Sequence, residues 1–248
     1  MAYIPKKRQI GYKAFFRDPK TGKLYPPMVG NKGNAFTAVG QWLDAYAPTP
    51  ANKKEADAEQ RNVPLKYRRY KIKSCTLRDG RKKTSYLSYR PGWHLGDVPH
   101  ATQFNYRVNN LTTDVVPDNI VWGLCEYAAD VHAEYQKECD ERMHWKKNVR
   151  TGKYQRYDNP TYANGGMNRI PERGYYRFRT NPHPASVEWI ITGNMRVIKI
   201  LTKAEVDAIL RKEGIKPQKY GYRYIENGNY KFITADDKVI IKSKLKKK

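Results

Sequence analysis

The residue pattern predicts an α+β fold: a mixed or antiparallel twisted sheet with about three flanking helices and a small C-terminal β appendage. Two observations carry that expectation. Short aromatic and β-branched runs recur between Gly, Asn, Asp and Pro turn signals along most of the chain. Helical spacing or capping marks three longer stretches, 35–47, the segment after Asp130 and the segment after Thr202, besides a short one after Asp97. The expected organisation is a main domain over 1–216, a β-meander over 217–242 and a basic tail over 243–248.

The elements follow in order. Gly11–Arg17 and Lys23–Val29 flank Asp18-Pro19-Lys20-Thr21-Gly22, whose Pro and Gly supply turn geometry, so an opening hairpin is expected. Ala35–Ala47 reads as a short amphipathic helix weakened by Gly40. Leu65–Thr76 and Ser85–Tyr89 read as strands around an Asp79-Gly80 turn, and Ile120–Glu126 as a buried strand. Asp130 is placed to cap a helix running to about Lys147, with Val131, Tyr135, Cys139 and Met143 along one stripe. Tyr175–Thr180, Val187–Thr192 and Met195–Leu201 read as strands, the last two joined by Gly193-Asn194. Thr202-Lys203-Ala204-Glu205 is a capping box, and Gly214 stops its helix. Tyr220–Lys242 holds three short strands.

Charge bounds the function. There are 48 Lys+Arg against 24 Asp+Glu, a formal +24 over 248 residues. A compact chain carrying that surplus repels itself, which favours a polyanionic partner. The surplus is segregated. Arg61–Arg90 holds eleven basic residues and one acid, Lys146–Arg179 nine and two, and Asp114–Glu141 reverses the sign with eight acids and one Lys. Tyrosines interleave both basic stretches. Cations neutralise phosphates and aromatic faces stack on bases, so nucleic acid, DNA or RNA, is the expected partner. The residues expected to carry that binding are Lys66, Arg68, Arg69, Lys71, Lys73, Arg81, Lys82 and Lys83 in the first stretch. In the second they are Lys146, Lys147, Arg150, Lys153 and Arg156.

Other classes recede. No apolar run reaches the roughly 18 residues of a membrane span, and the basic N-terminus has no apolar stretch of a secretory signal behind it. Cys75, Cys125 and Cys139 are too scattered for a disulfide framework, so a reducing compartment is expected. His132, Cys139 and His144 are spaced seven and five apart on the expected helix, which turns His144 off the stripe, so no metal site is expected. No phosphate-binding glycine loop, dinucleotide fingerprint or nucleophile elbow occurs.

Two places could carry chemistry. In Tyr89–Ala101, two glycines bracket Trp93-His94-Leu95, and Asp97 is placed to cap a short helix through Phe104. His94 is then either a ligand contact or part of a packing corner built on Trp93. Glu188 leads the apolar run Trp189-Ile190-Ile191. It is either an electrostatic partner for a developing cation or a strand-end charge paired with Arg196 or Lys199.

Several stretches resemble an uncharacterised family encoded by gut-bacterial phages and mobile elements: GYKAFFRDPKTGKLYPPMV, YRPGWHLGDVPHATQF, DNIVWGLCEY, IPERGYYRFRTNP and EWIITGNMRVIKILTKAEVDAILRKEGI. That resemblance implies a bacterial-host cytoplasm or a virion as the setting, and no particular activity. A more distant one is to ADP-ribosyltransferase folds, in the order of a first strand, a glycine–aromatic segment and a Glu-led strand. It implies NAD as cofactor, with Arg17 in the first motif, Trp93 and His94 in the second and Glu188 in the third. His94 stands where that family has Tyr or Ser, and Ser186 lies two residues before the Glu. Three functions are thus expected in order: a phage accessory protein binding nucleic acid, an ADP-ribosyltransferase-like enzyme, and a non-catalytic virion or cargo component on packaged DNA.

Overall fold

The computed structural model describes residues 2–27, 35–46, 70–76, 82–87, 91–108, 111–147, 150, 154–158, 169–179, 188–226, 229–234 and 239–244. In chain order, β1 (Arg8–Arg17), β2 (Leu24–Tyr25), β3 (Trp42–Asp44), β4 (Tyr70–Thr76), β5 (Lys82–Leu87), β6 (Trp93–Gly96), β7 (Arg107–Val108), β8 (Leu111–Thr112), β9 (Val115–Pro117) and β10 (Ile120–Ala128) precede helix α1 (Ala133–Arg142). Then come β11 (Met143–Lys147), β12 (Tyr154–Asp158), β13 (Tyr175–Arg179), β14 (Glu188–Thr192), β15 (Asn194–Ile200), helix α2 (Lys203–Lys212), β16 (Lys219–Glu226), β17 (Asn229–Thr234) and β18 (Val239–Lys244).

The principal sheet has the order β13-β14-β6-β1-β10-β15-β3, with β2 added to β1, and every pairing in it is antiparallel. Its ends are not free. β14 and β15 are separated in sequence by Gly193 alone, yet β6, β1 and β10 lie between them in the sheet. Four flat inter-strand spacings would put them about 19 Å apart. Two peptide units reach at most about 7.6 Å. The sheet must therefore curl until 188–200 runs as one bent strand serving both halves. The hydrogen bonds at the bend show the closure: Gly193 N–H donates to Gly174 O beside β13 (3.2 Å), and Gly193 O accepts from Ala45 N–H beside β3 (2.7 Å). Gly193-Asn194 therefore joins two strands that do not pair with each other.

Alternation sorts the side chains. On β1, Gly11, Lys13 and Phe15 face the barrel interior, where Phe15 packs with Leu95, Cys125, Tyr127, Ile190, Met195 and Val197. Ala14 faces outward, onto a layer formed with Trp122, Leu201, Val206 and Leu210 beneath α2. Tyr176, Phe178 and Ile191 face outward under α1, against Tyr135 and Cys139. The capping box predicted at Thr202 is formed, Thr202 Oγ1 accepting from Glu205 N–H and the Glu205 carboxylate accepting from Thr202 N–H.

The expected α+β architecture with about three flanking helices is corrected by this arrangement. The fold is mostly antiparallel sheet, with two α-helices among the described residues. The helix expected over 35–47 is absent from its described part, 35–46. That segment lies along sheet edges, with Thr37 N–H bonded to Leu24 O and Gly40 N–H to Val197 O, both at 2.8 Å, before β3. Gly40 has φ +84°, which a right-handed helix excludes. Asp130 caps no helix: its carboxylate accepts from the Lys6 and Lys7 backbone N–H groups and from Tyr3 Oη, pinning the N-terminal segment. The helix behind it ends at Arg142 and passes straight into β11. After Asp97 there is only a 3-10 turn, Thr102–Phe104, whose N-cap Ala101 offers no side-chain cap.

The second sheet, β18-β17-β16-β9, is held to the first. Within it β9 pairs with β16 in parallel; β9 runs through Asp118-Asn119 into β10 of the first sheet, and Tyr220 is buried with Trp122 and Val206. β18 extends to Lys244, so the first two residues of the expected tail, Ser243 and Lys244, are strand. Two ribbons, β4–β5 and β11–β12, form two-stranded sheets of their own.

Candidate functional site

One end of the barrel carries a charged cluster. On β13, Tyr175 and Arg177 face the interior side and Tyr176 and Phe178 the outer layer. Ile190 lies opposite both Arg177 and Leu95, and continuing that register brings Glu188 beside Asp97. Two like charges there need a cation between them. Arg177 supplies it: its guanidinium is bidentate on Asp97 (2.6 and 3.0 Å) and donates to Glu188 Oε2 at 3.0 Å. Hydrogen bonding to Asp97 raises the Arg177 pKa further above its already high ordinary value. At the same end Tyr127 donates its hydroxyl to Gln9 Oε1 at 2.6 Å, and burial raises that phenol's pKa. In this cluster the planar Arg fork matches the carboxylates it holds.

Deeper in the barrel lies a buried cation. Lys13 is 7% exposed. Its ammonium donates to His94 O at 3.1 Å and sits over the rings of Trp93 (5.3 Å) and Phe15 (5.9 Å). Burial pulls its pKa down to about 8 and pushes the neighbouring Cys125 thiol up to about 12, so Cys125 is inert as a nucleophile.

The residues singled out for transferase chemistry do not share a cleft. Arg17 ends β1, five positions beyond Tyr12, the residue that pairs with Gly96 of β6, which is about 17 Å along the strand. Trp93 is core, 6% exposed, with its indole N–H on Leu43 O. His94 lies opposite Ile191 on the outer face, its ring edge-on to Trp189 at 6.5 Å and its Nδ1 3.1 Å from Gly92 O. Glu188 faces the other side of the same sheet. Neither of its expected partners reaches it, since Arg196 is engaged by Glu126 and Lys199 by Glu205.

The nucleic-acid candidates fall differently. Lys71 and Lys73 lie on β4, Lys82 and Lys83 on β5, Lys146 and Lys147 on β11, Arg156 on β12, and Arg150 is an exposed turn residue between the last two strands. Lys66, Arg68, Arg69, Arg81 and Lys153 lie outside the described residues. The β11–β12 register sets Trp145 opposite Arg156 and Lys147 opposite Tyr154. In β4–β5, Lys71 is opposite Tyr86 and Lys83 opposite Cys75.

Sequence reading passed over Lys13, Gln9, Asp97 as a charge partner, Tyr127 and Arg177. Period-two alternation in GYKAFFR already sets Lys13 on one face with Gly11 and Phe15, a signal that could have found it. Nothing local marks Arg177, whose partners, Asp97 just past β6 and Glu188 of β14, lie 80 and 11 residues away. Among the described residues, no helix is long and apolar enough to cross a membrane. Compared with known proteins, the chain matches no family model, no curated protein and no solved structure, so its site is read from its own geometry.

Proposed function

We propose that this protein binds nucleic acid through the ribbons β4–β5 and β11–β12, with the closed barrel as their rigid support. The observation that supports the reading is the β11–β12 register, which twice pairs an aromatic residue with a cationic one across the strands: Trp145 with Arg156, and Tyr154 with Lys147. Residues of these two types together suit stacking on bases and phosphate neutralisation. A two-stranded ribbon also has the width a duplex major groove admits. The chain's net charge of +24 supplies the long-range attraction. The placement of His94 and Glu188 on opposite faces of one sheet favours this reading over an NAD-dependent transferase. A role in the host cytoplasm or in a virion follows from the resemblance to phage-encoded proteins.

The test is a salt titration of affinity for a duplex and a single strand of mixed sequence. Each phosphate neutralised contributes about 0.9 to the slope of log affinity against log salt on duplex DNA, and about 0.7 on a single strand. Reversing Lys146, Lys147 and Arg156 to Glu is expected to lower the slope by about two to three on duplex. Three neutralising changes on α1, at Glu134, Glu138 and Glu141, should not weaken binding. A flat salt response, or equal loss from both triples, overturns the proposal.

A further inference from the structure

β13 ends the strand order of the principal sheet, so β14 takes one of its edges and none of the described strands takes the other. In antiparallel pairing, the N–H and C=O groups of alternate residues point to opposite edges. Tyr175 and Arg177 turn theirs away from β14, and the segment 131–139 meets all of them. Val131, bridged in parallel to Gly174, accepts from Tyr175 N–H at 3.0 Å. His132 Nδ1 lies 3.2 Å from Tyr175 O, and because a carbonyl only accepts, that nitrogen carries the proton. Gln136 Oε1 accepts from Arg177 N–H at 2.8 Å, and Gln136 Nε2 donates to Arg177 O at 3.2 Å. The same nitrogen donates to Asp140 Oδ1 at 2.9 Å; a carboxylate accepts, which fixes the orientation of the amide. Cys139 Sγ also lies 3.7 Å from Arg177 O. A side-chain amide carries the donor and the acceptor of a peptide, so Gln136 stands where the peptide of a further strand would stand.

An edge strand with open peptides is a template for pairing with another chain, and proteins cover such edges. β13 needs a cover. It reads Tyr-Tyr-Arg-Phe-Arg, aromatic-rich and without Gly or Pro. The cover is α1, seated by Tyr135 and Cys139 on Tyr176, Phe178 and Ile191, with Tyr135 Oη donating to Glu172 O at 2.9 Å.

We propose that α1 is a surrogate strand that keeps β13 from pairing with β13 of a second copy of this chain. The edge is complementary to itself. Antiparallel pairing about a twofold axis at Tyr176 sets Tyr175 of each copy opposite Arg177 of the other. These are hydrogen-bonded pairs, and each exchanges both of its bonds. The two N–H and two C=O groups that α1 and Val131 now satisfy would then be satisfied by the second copy, in an isologous contact that closes at a dimer. Each pair also sets an aromatic residue opposite a cationic one. The inference uses no residue of either ribbon, so it stands or falls apart from the nucleic-acid reading.

The experiment is light scattering of the full chain over a range of concentrations, with hydrogen exchange read at Tyr175 and Arg177. Wild type is expected to stay monomeric. Gln136→Leu keeps the side-chain volume and removes both bonds to Arg177. In dilute solution its Arg177 amide should exchange about tenfold or more faster than in wild type. At high concentration it should dimerise about tenfold or more tighter than wild type, with exchange at Tyr175 and Arg177 slowing as the dimer forms. Lys137→Ala, an exposed change on the same helix, should behave as wild type. The proposal is overturned if wild type dimerises as readily as Gln136→Leu, or if a folded Gln136→Leu stays monomeric. It is overturned as well if the dimer forms without slowing exchange at Tyr175 and Arg177, which would place the contact elsewhere. Should Gln136→Leu fail to fold, Gln136→Glu decides: it keeps the acceptor for Arg177 N–H and loses the donor to Arg177 O, and a strictly monomeric Gln136→Glu overturns the proposal.

Discussion

Lys13 illustrates what a single buried residue does to this barrel. Its ordinary pKa of 10.5 falls to about 8 in the fold because burial strips water from the ammonium. The unfolded chain holds that proton up to 10.5, whereas the folded one releases it near 8. The unfolded state therefore binds more protons between those values, and stability rises with pH across that window. At pH 7 the ammonium costs the fold about 3 kcal/mol, partly offset by its bond to His94 O and by two aromatic faces. Lys13→Met should accordingly be more stable than wild type by about 1–3 kcal/mol at pH 7. The gain should shrink towards pH 9.5, as read by urea denaturation at both values. A variant less stable at pH 7 would show that the ammonium holds the interior together. Arg177 is the contrasting case, a cation whose partners, Asp97 and Glu188, come with it.

At the scale of elements, the bend at Gly193 decides the architecture. A Cβ there would come 2.4 Å from Pro171 O, a backbone atom that cannot swing away. The same residue bonds to both closing edges. Gly193→Ala is expected to cost about 2–3 kcal/mol and to loosen the β13 and β3 edges together. Gly22→Ala is the control: φ is +69° in the first turn but nothing lies within 4 Å, so only the conformational penalty of about 1 kcal/mol applies. Thermal melts of the two variants, with hydrogen exchange at the Ala45 and residue 193 amides, the donors of the two closing bonds, separate closure from turn strain. Equal effects from both would mean that the bend at Gly193 is not what closes the sheet.

For the whole molecule, the question is how the second sheet is tied to the barrel. β9 of the second sheet continues through Asp118-Asn119 into β10 of the barrel, where Arg17 N–H of β1 donates to Asn119 O, and Tyr220, 6% exposed, supplies the shared core with Trp122, Val206 and Leu210. Tyr220→Ala should cost about 3 kcal/mol, in line with large aromatic truncations. If the two parts melt as one, the variant shifts a single transition downwards. A separate early transition in the wild-type protein would show instead that the second sheet unfolds independently.

Local chemistry was enough for much of the chain. The Asp18–Gly22 turn, the strand at Ile120 and the capping box at Thr202 rest on contacts within a few residues or on unbroken apolar runs, which is where pattern reading is strongest. The segregation of cations from acids was likewise visible without coordinates. Three features were decided only in three dimensions. Residues 35–46 have helical spacing, but sheet edges offered by β2 and β15 satisfy their backbone and override it. Gly193-Asn194 has the composition of a hairpin turn, yet sheet closure makes it a bend within one strand. Glu188 has possible partners nearby in sequence, but its cation is Arg177, delivered by the antiparallel pairing of β13 with β14. Turn and cap chemistry is written in neighbouring residues. Strand neighbours and charge partners are set by long-range pairing, which no local window contains.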